Sequence, residues 1–249
     1  MSGHSKWATI KHKKGAADKA RGKLFAKLAR QIEVSAKSGG DVDTNPTLRT
    51  AVQKAKAARM TNEAIDRAVK RGTGDDDGGT YESIMYEGYA PGGVALMIDV
   101  LTDNRNRTGA DIRNIFSKLG GSMAEPGAVG WQFQRRGVIV TGDAIDEDTI
   151  MMAALEAGAD DVIAESDGAY RVMSDPSIVY DIKHALDEAG IEVISADSPM
   201  VSENLVPVTD SGDVKAILRI LDALEDNDDV QDVFFNFDIS DELMEAAAS

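Results

Sequence analysis

The sequence predicts an α+β protein: a small helical bundle followed by two α/β domains, one inserted in the other. Three observations predict it. Apolar residues recur at helical spacing through the first 72 residues. After a glycine-rich acidic stretch the pattern changes to short apolar runs alternating with helices. The charge reverses at the same place: residues 1–72 hold 17 Lys+Arg against 6 Asp+Glu, and residues 73–249 hold 10 against 37. The overall charge of −16 is therefore the sum of a +11 head and a −27 body.

The head reads as three helices. From Ala16 to Lys37, Leu24, Phe25, Leu28 and Ile32 form one apolar stripe, while Lys19, Lys23, Lys27 and Arg30 fall on a face roughly opposite. Ser38-Gly39-Gly40 stops this helix. Asn45 caps the next, with Pro46 at its first position, where a missing N–H costs nothing, and Leu48, Val52 and Ala55 pointing inward. Thr61 caps a third helix with Ile65, Ala68 and Val69 inward, and Gly72 is expected to end it. Gly72 to Gly79 then reads as a linker, flexible by its glycines and self-repelling by its acids. Its aspartates are consecutive rather than alternating, and no glutamate closes a calcium loop, so no metal is expected there.

The body reads as strands at 94–101, 128–133, 137–141, 161–165, 169–173, 191–195, 205–208 and 230–237, with helices at 106–119, 146–157, 176–189 and 213–224. Asp167-Gly168 has the composition of a two-residue hairpin turn. Residues 137–200 thus spell β-α-β-β-α-β, the ferredoxin-like split unit. Residues 94–133 and 203–239 each spell β-α-β, which together suggest a second ferredoxin-like unit interrupted by the first. The expected division is a basic helical domain at 1–74, a discontinuous α/β domain at 80–135 plus 203–240, and an inserted domain at 136–202.

Catalysis finds few parts. There is no cysteine, which excludes disulfides, thiolate nucleophiles and cysteine-bound zinc. Of the three histidines, His184 sits in a helix among Ile182, Leu186 and charged residues, which suits a surface or boundary position rather than a ligand. No P-loop, H-E-x-x-H or G-x-S-x-G pattern occurs, and Gly88 to Gly93 precedes a strand rather than a helix, as a tight turn would. No enzyme activity, catalytic residue, metal or cofactor is expected. No apolar run is long enough to span a bilayer, and the N-terminal stretch lacks the apolar core of a signal peptide, so a cytoplasmic protein is expected, without a membrane partner.

The head carries the functional signal. Lys6, Lys11, Lys13, Lys14, Lys19, Arg21, Lys23 and Lys27 lie within 22 residues, and lysines that displace counterions from phosphate give sequence-independent affinity for nucleic acid. Aromatics are scarce there: Phe25 belongs to the apolar stripe, and Trp7 either packs the N-terminal arm or stacks on a base. Backbone and shape recognition is therefore expected more than base reading. The alternative is that the head docks on the acidic body of its own chain or of a neighbour. A second basic feature, Arg105 and Arg107 within Asp103-Asn-Arg-Asn-Arg-Thr108, opens a helix. Either it forms an anion-seeking corner, or Asp103 or Asn104 caps the helix while the arginines pair with nearby carboxylates.

Several segments resemble the YebC family: Gly3-His-Ser-Lys-Trp7, Lys11 to Phe25, Tyr86-Glu-Gly-Tyr-Ala-Pro-Gly-Gly93, Asp103 to Thr108, the Gly-Gly…Asn-Pro stretch near residue 46 and the acidic segment at 224–231. Ala90 departs from the glycine common there. The resemblance covers essentially the whole chain and implies a helical N-terminal domain, two α/β domains and a cytoplasmic regulatory protein that binds DNA and regulates transcription. Members of the family also act on translation, relieving ribosomes stalled on sequences such as proline runs. That second function would place the basic head against ribosomal RNA and the acidic body against basic ribosomal proteins.

Overall fold

A computed structural model of the chain describes residues 17–74, 81–142, 146–165 and 168–248, with the side chains of 17–20, 241, 245 and 248 excepted. The acidic part of the linker and Asp167 of the expected hairpin turn lie outside the described residues.

The head is a bundle of α1 (Ala17–Ala36), α2 (Pro46–Ala57) and α3 (Asn62–Thr73). Its core is Leu28, Ile32, Leu48, Val52, Ala55, Ile65 and Ala68, with Phe25 and Val69 at its margin and Leu24 left 44% exposed. Asn45 stitches the first two helices together. Its side-chain oxygen accepts from Leu48 N at 3.0 Å, and its amide donates to the Ser35 and Gly39 carbonyls, each at 2.8 Å. The buried amide thereby satisfies both of its ends. Thr61 caps α3 by accepting from Ala64 N.

Gly72 does not end α3, which runs one residue further. The residue is buried where α3 crosses α1, and a Cβ there would overlap the Glu33 carbonyl oxygen and come within 2.7 Å of the Ala36 Cβ. Glycine is needed for close approach rather than as a stop signal.

The first body sheet has strand order β11-β2-β1-β3, formed by β1 (Glu82–Ala90), β2 (Val94–Thr102), β3 (Ser122–Ala124) and β11 (Val230–Phe235). All its pairings are antiparallel. Between β1 and β2, Pro91-Gly92-Gly93 makes the tight turn, with φ at 75° and 79° for the two glycines. Helix α4 (Arg105–Leu119) joins β2 to β3, and α7 (Ser211–Glu225) precedes β11. The order is that of a ferredoxin-like unit whose third strand, β1, comes ahead of the first in the chain. The sequence pattern did not mark β1. One face of this sheet packs Leu96, Ile98, Val100, Val233 and Phe235 against Ile112 and Phe116 of α4 and the apolar side of α7, with Met244 of α8 (Asp241–Ala248) buried in the same core.

The other face, with Ala95, Met97 and Phe234, is covered by Val129 and Phe133. Residues 128–132 are not a strand, as the apolar run suggests. They belong to a loop ending in a short 3-10 turn, and the Glu87 carboxylate accepts the backbone N–H groups of Gly127, Val129 and Gly130 at 2.7, 2.6 and 2.9 Å. Burial pushes the Glu87 carboxyl up, but these three donors prevail and hold it below the usual range.

The second sheet, in order β6-β7-β5-β8, consists of β5 (Gly137–Thr141), β6 (Asp161–Ala164), β7 (Tyr170–Ser174) and β8 (Val193–Asp197). With α5 (Glu147–Glu156) and α6 (Val179–Glu188) on one face, this is the ferredoxin-like arrangement read from residues 137–200. Ile139, Ile150, Val172, Ile182 and Leu186 form its core. The chain enters and leaves it through β4 (Phe133–Arg135) and β9 (Met200–Ser202), which pair antiparallel with each other. A parallel bridge between β10 (Val206–Pro207) and β12 (Phe237–Asp238) ties the return segment down.

Substituting Gly72→Ala should destabilise the head by about 1–3 kcal/mol, because backbone rather than a flexible side chain blocks the new methyl. A lowered midpoint in urea, with loss of α1 and α3 amide protection, is the expected result.

Candidate nucleic-acid interface

Some head cations face solvent and others face the body. Lys6, Lys11, Lys13 and Lys14, and the side chain of Lys19, lie outside the described residues. Arg21 is exposed on α1, and Lys56, Arg59, Arg67 and Lys70 are exposed on and around α2 and α3. Lys23, Lys27, Arg30 and Lys54 face the body instead.

Lys23 Nζ lies 2.7 Å from Asp226 Oδ1 and 3.1 Å from the Asp226 carbonyl, and Lys27 Nζ donates to the Glu225 carbonyl at 2.9 Å. Both carbonyls belong to the C-terminal end of α7, where the helix dipole presents partial negative charge to a cation. Arg30 extends the row. Its Nη1 lies 3.2 and 3.1 Å from the Leu101 and Asp228 carbonyls and 3.1 Å from Asp229 Oδ1, with the guanidinium 5.1 Å above the Tyr81 ring.

Asp229 is where these contacts converge. Its Oδ2 has Thr108 Oγ1 at 2.6 Å, Thr102 Oγ1 at 3.1 Å and Arg107 Nη2 at 2.8 Å, while Oδ1 takes Arg30. Its backbone carbonyl accepts from Leu101 N at 2.8 Å, and its own N–H donates to Asn227 Oδ1 at 2.9 Å. Burial pushes this carboxyl up. The hydrogen bonds from Thr108, Arg107 and Thr102, and the charge of Arg107, outweigh burial and hold it below the ordinary carboxylate range.

In the arginine-rich turn at 103–108, the cap and the pairing of Arg107 are both present, while Arg105 faces solvent. Asn104 caps α4 by accepting from Arg107 N at 3.0 Å. Arg107 pairs with Asp103 and Asp229, each at 2.8 Å, and those two carboxylates raise its pKa further. Arg105 is exposed on the same turn, its backbone carbonyl 3.3 Å from the Tyr86 hydroxyl.

Lys54 forms a second junction, on α2. Its Nζ lies 3.2 Å from both Asp197 of β8 and Asp232 of β11, so one ammonium joins the head to both sheets. Burial opposes its charge, but Asp232 and Asp197 prevail and raise its pKa above the usual lysine range. Asp99, directly opposite Asp232 in the β2–β11 register, is shifted upward by burial and then by Asp232. Asp197, Asp229 and Asp232 carry no distinguishing pattern in the sequence, although Asp229 falls within the quoted 224–231 segment.

Among the described residues, no group of three or more His, Asp or Glu side chains is placed to hold a metal ion, and no helix is long and apolar enough to cross a membrane.

Comparisons with known proteins agree along the whole length. A family model described as the TACO1/YebC protein N-terminal domain matches residues 5–75, and one described as the TACO1/YebC second and third domain matches residues 81–237. A "probable transcriptional regulatory protein" of Rubrobacter xylanophilus is 54% identical, covering 100% of both chains. One of the same description from Halothermothrix orenii is 52% identical over 98% of each. The crystal structure of a conserved hypothetical protein from Aquifex aeolicus superposes with a TM-score of 0.78 at 38% identity, covering 90% of this chain and 93% of that one.

Asp229→Ala should lower the unfolding free energy by about 1–3 kcal/mol, because it removes an acceptor shared by two buried hydroxyls and two arginines, leaving the hydroxyls to each other and the arginines to Asp103 and main-chain carbonyls. The pH dependence has a definite sign. A carboxyl held low in the folded state contributes stability fully present above its unfolded pKa of about 3.9 and lost as pH falls through the folded value. The difference between wild type and Asp229→Asn in urea unfolding should therefore be constant near neutrality and shrink as pH falls below about 4.

Proposed function

The chain belongs to the TACO1/YebC family, and on that premise we propose that it is a cytoplasmic nucleic-acid-binding regulator, acting on transcription through DNA. The observation that carries this reading is the segregated charge: +11 over residues 1–72 in a chain of −16. Exposed cations on the bundle, together with Lys6, Lys11, Lys13, Lys14, Lys19 and Arg21, would contact phosphates without reading bases. Arg105 would add a contact on the body side. Lys23, Lys27 and Arg107 have carboxylate or carbonyl partners within the chain and reach phosphate only by exchanging them. The relatives' description as regulatory proteins supports a non-enzymatic role.

The −27 body supports a second reading, a ribosome-associated translation factor that binds RNA. A body of that charge repels DNA held within a screening length of about 8–10 Å. A ribosome offers phosphate to the head and basic proteins to the body. The proposed division into a head at 1–74, a discontinuous domain at 80–135 plus 203–240 and an inserted domain at 136–202 serves either reading, because it separates the two signs of charge.

Fluorescence anisotropy with labelled DNA and RNA duplexes tests the shared part. The full chain should bind, with log affinity falling linearly in log salt, and Lys11, Lys13 and Lys14→Gln together should flatten that slope by up to about 2.7. Absence of binding to either duplex at about 50 mM salt would refute nucleic-acid recognition, since the electrostatic contribution is strongest there. Sedimentation with ribosomes that RNase abolishes would select the translational reading, and recovery of particular promoter fragments the transcriptional one.

A further inference from the structure

The row of cations on α1 has a cavity beside it. Gly22, Lys23, Ala26, Lys27, Arg30 and Asp228 line a solvent-open space of about 260 Å³ at the seam between head and body. Two of the six residues are small and three are cationic. Lys23 and Lys27 are one helical turn apart, and Arg30 follows at three residues, so the three charges run along one edge of the helix. Their present partners are mainly the oxygens at the end of α7: two main-chain carbonyls for the lysines, the Asp228 carbonyl for Arg30, and the carboxylates of Asp226 and Asp229.

We propose that the α7 terminus stands in for a nucleic-acid backbone on the α1 cations, so that phosphate entering through this cavity competes with the head's docking on the body. The inference rests on the nucleic-acid reading above and adds a regulatory step to it.

The chemistry of the contact supports exchange. Carbonyls at a helix end carry only partial charge, whereas each backbone phosphate carries a full one. Asp226 leaves 78% of its side chain in water, so its ion pair with Lys23 is weak and salt-sensitive. The carboxylates that hold Arg30 and Lys54 are less exposed than Asp226, at 11% for Asp229 and 49% and 37% for Asp197 and Asp232. The seam thus has its most solvent-exposed ion pair at Lys23, beside the cavity, and better shielded ones at Arg30 and Lys54. A polyanion would begin at Lys23. Docking in the free chain masks several of the cations that the bundle could offer to phosphate, which lowers the apparent affinity of the full chain.

Two measurements on the full chain decide this. The first compares the seam variant Asp197→Asn/Asp226→Asn/Asp232→Asn with a charge-matched control, Asp148→Asn/Glu156→Gln/Asp181→Asn, altered on exposed positions of α5 and α6. Both lose the same negative charge, so their difference removes the general effect of net charge. With labelled 24-base-pair DNA and RNA duplexes, the seam variant should bind about three- to tenfold more tightly than the control and show a steeper salt dependence, because more cations become available. Equal or weaker binding by the seam variant would overturn the proposal.

The second uses the absence of native cysteine. Ser38→Cys and Ser211→Cys, both at exposed serines, allow a donor–acceptor pair to report the head-to-body distance. Energy transfer should fall as the duplex saturates the protein. Saturation with unchanged transfer would overturn the competition while leaving nucleic-acid binding intact. Failure of wild type and both variants to bind any duplex would remove the nucleic-acid reading, and this inference with it.

Discussion

A single mostly buried carboxylate, that of Asp229, holds the molecule's three kinds of contact together. It accepts from two threonines that anchor the start of α4, pairs with an arginine of the same turn, and takes a second arginine from the head. A carboxylate removed from water is costly unless several donors surround it, and here four side chains do so. The arrangement fixes the relative positions of the β2 end, the α4 start and the α7–β11 loop. Those are the elements that carry the surface on which α1 rests. The seam therefore follows from the interior of the first body sheet rather than from surface charge alone.

This changes the meaning of the charge asymmetry. A +11 head and a −27 body on one chain attract each other, and the head cations of α1 and α2 that face the body meet carboxylates and carbonyls there. The sequence offered two uses for the basic helix, nucleic acid or the acidic body, and they share Lys23 and Lys27. Lys54 extends the contact to β8, so the inserted unit is tied to the same junction as the first sheet. On the proposed reading, affinity for nucleic acid would depend on which partner holds each cation, not on the number of lysines.

Much of the fold was legible because periodicity and caps are local. Asn45, Pro46 and Thr61 announce α2 and α3, and the β-α-β-β-α-β succession at 137–200 is visible as alternating short apolar runs and helices. Strand β1 was hidden because it buries a glutamate and a glycine, Glu87 and Gly88, where strands ordinarily bury aliphatic residues. The same Glu87 explains why residues 128–132 are not a strand. The apolar run there packs on the sheet, but its backbone donors go to a carboxylate rather than to a neighbouring strand. Gly72 fits a stop signal in the sequence because a glycine near a helix end does so equally well, whereas the helix–helix crossing that requires it is a tertiary feature. Asp229 could not be singled out among 37 body acids, since only folding brings Thr102, Thr108, Arg107 and Arg30 to it.

The central claim is that Asp229 couples the head to the body through Arg30. A double-mutant cycle tests it most directly, using Arg30→Gln, Asp229→Asn and the pair, with unfolding free energies from urea titration. Both side chains are largely withdrawn from solvent, at 25% and 11% exposure. The account predicts a coupling energy of about 1–2 kcal/mol, above the value typical of exposed ion pairs. Additive effects of the two substitutions, within about 0.3 kcal/mol, would contradict it.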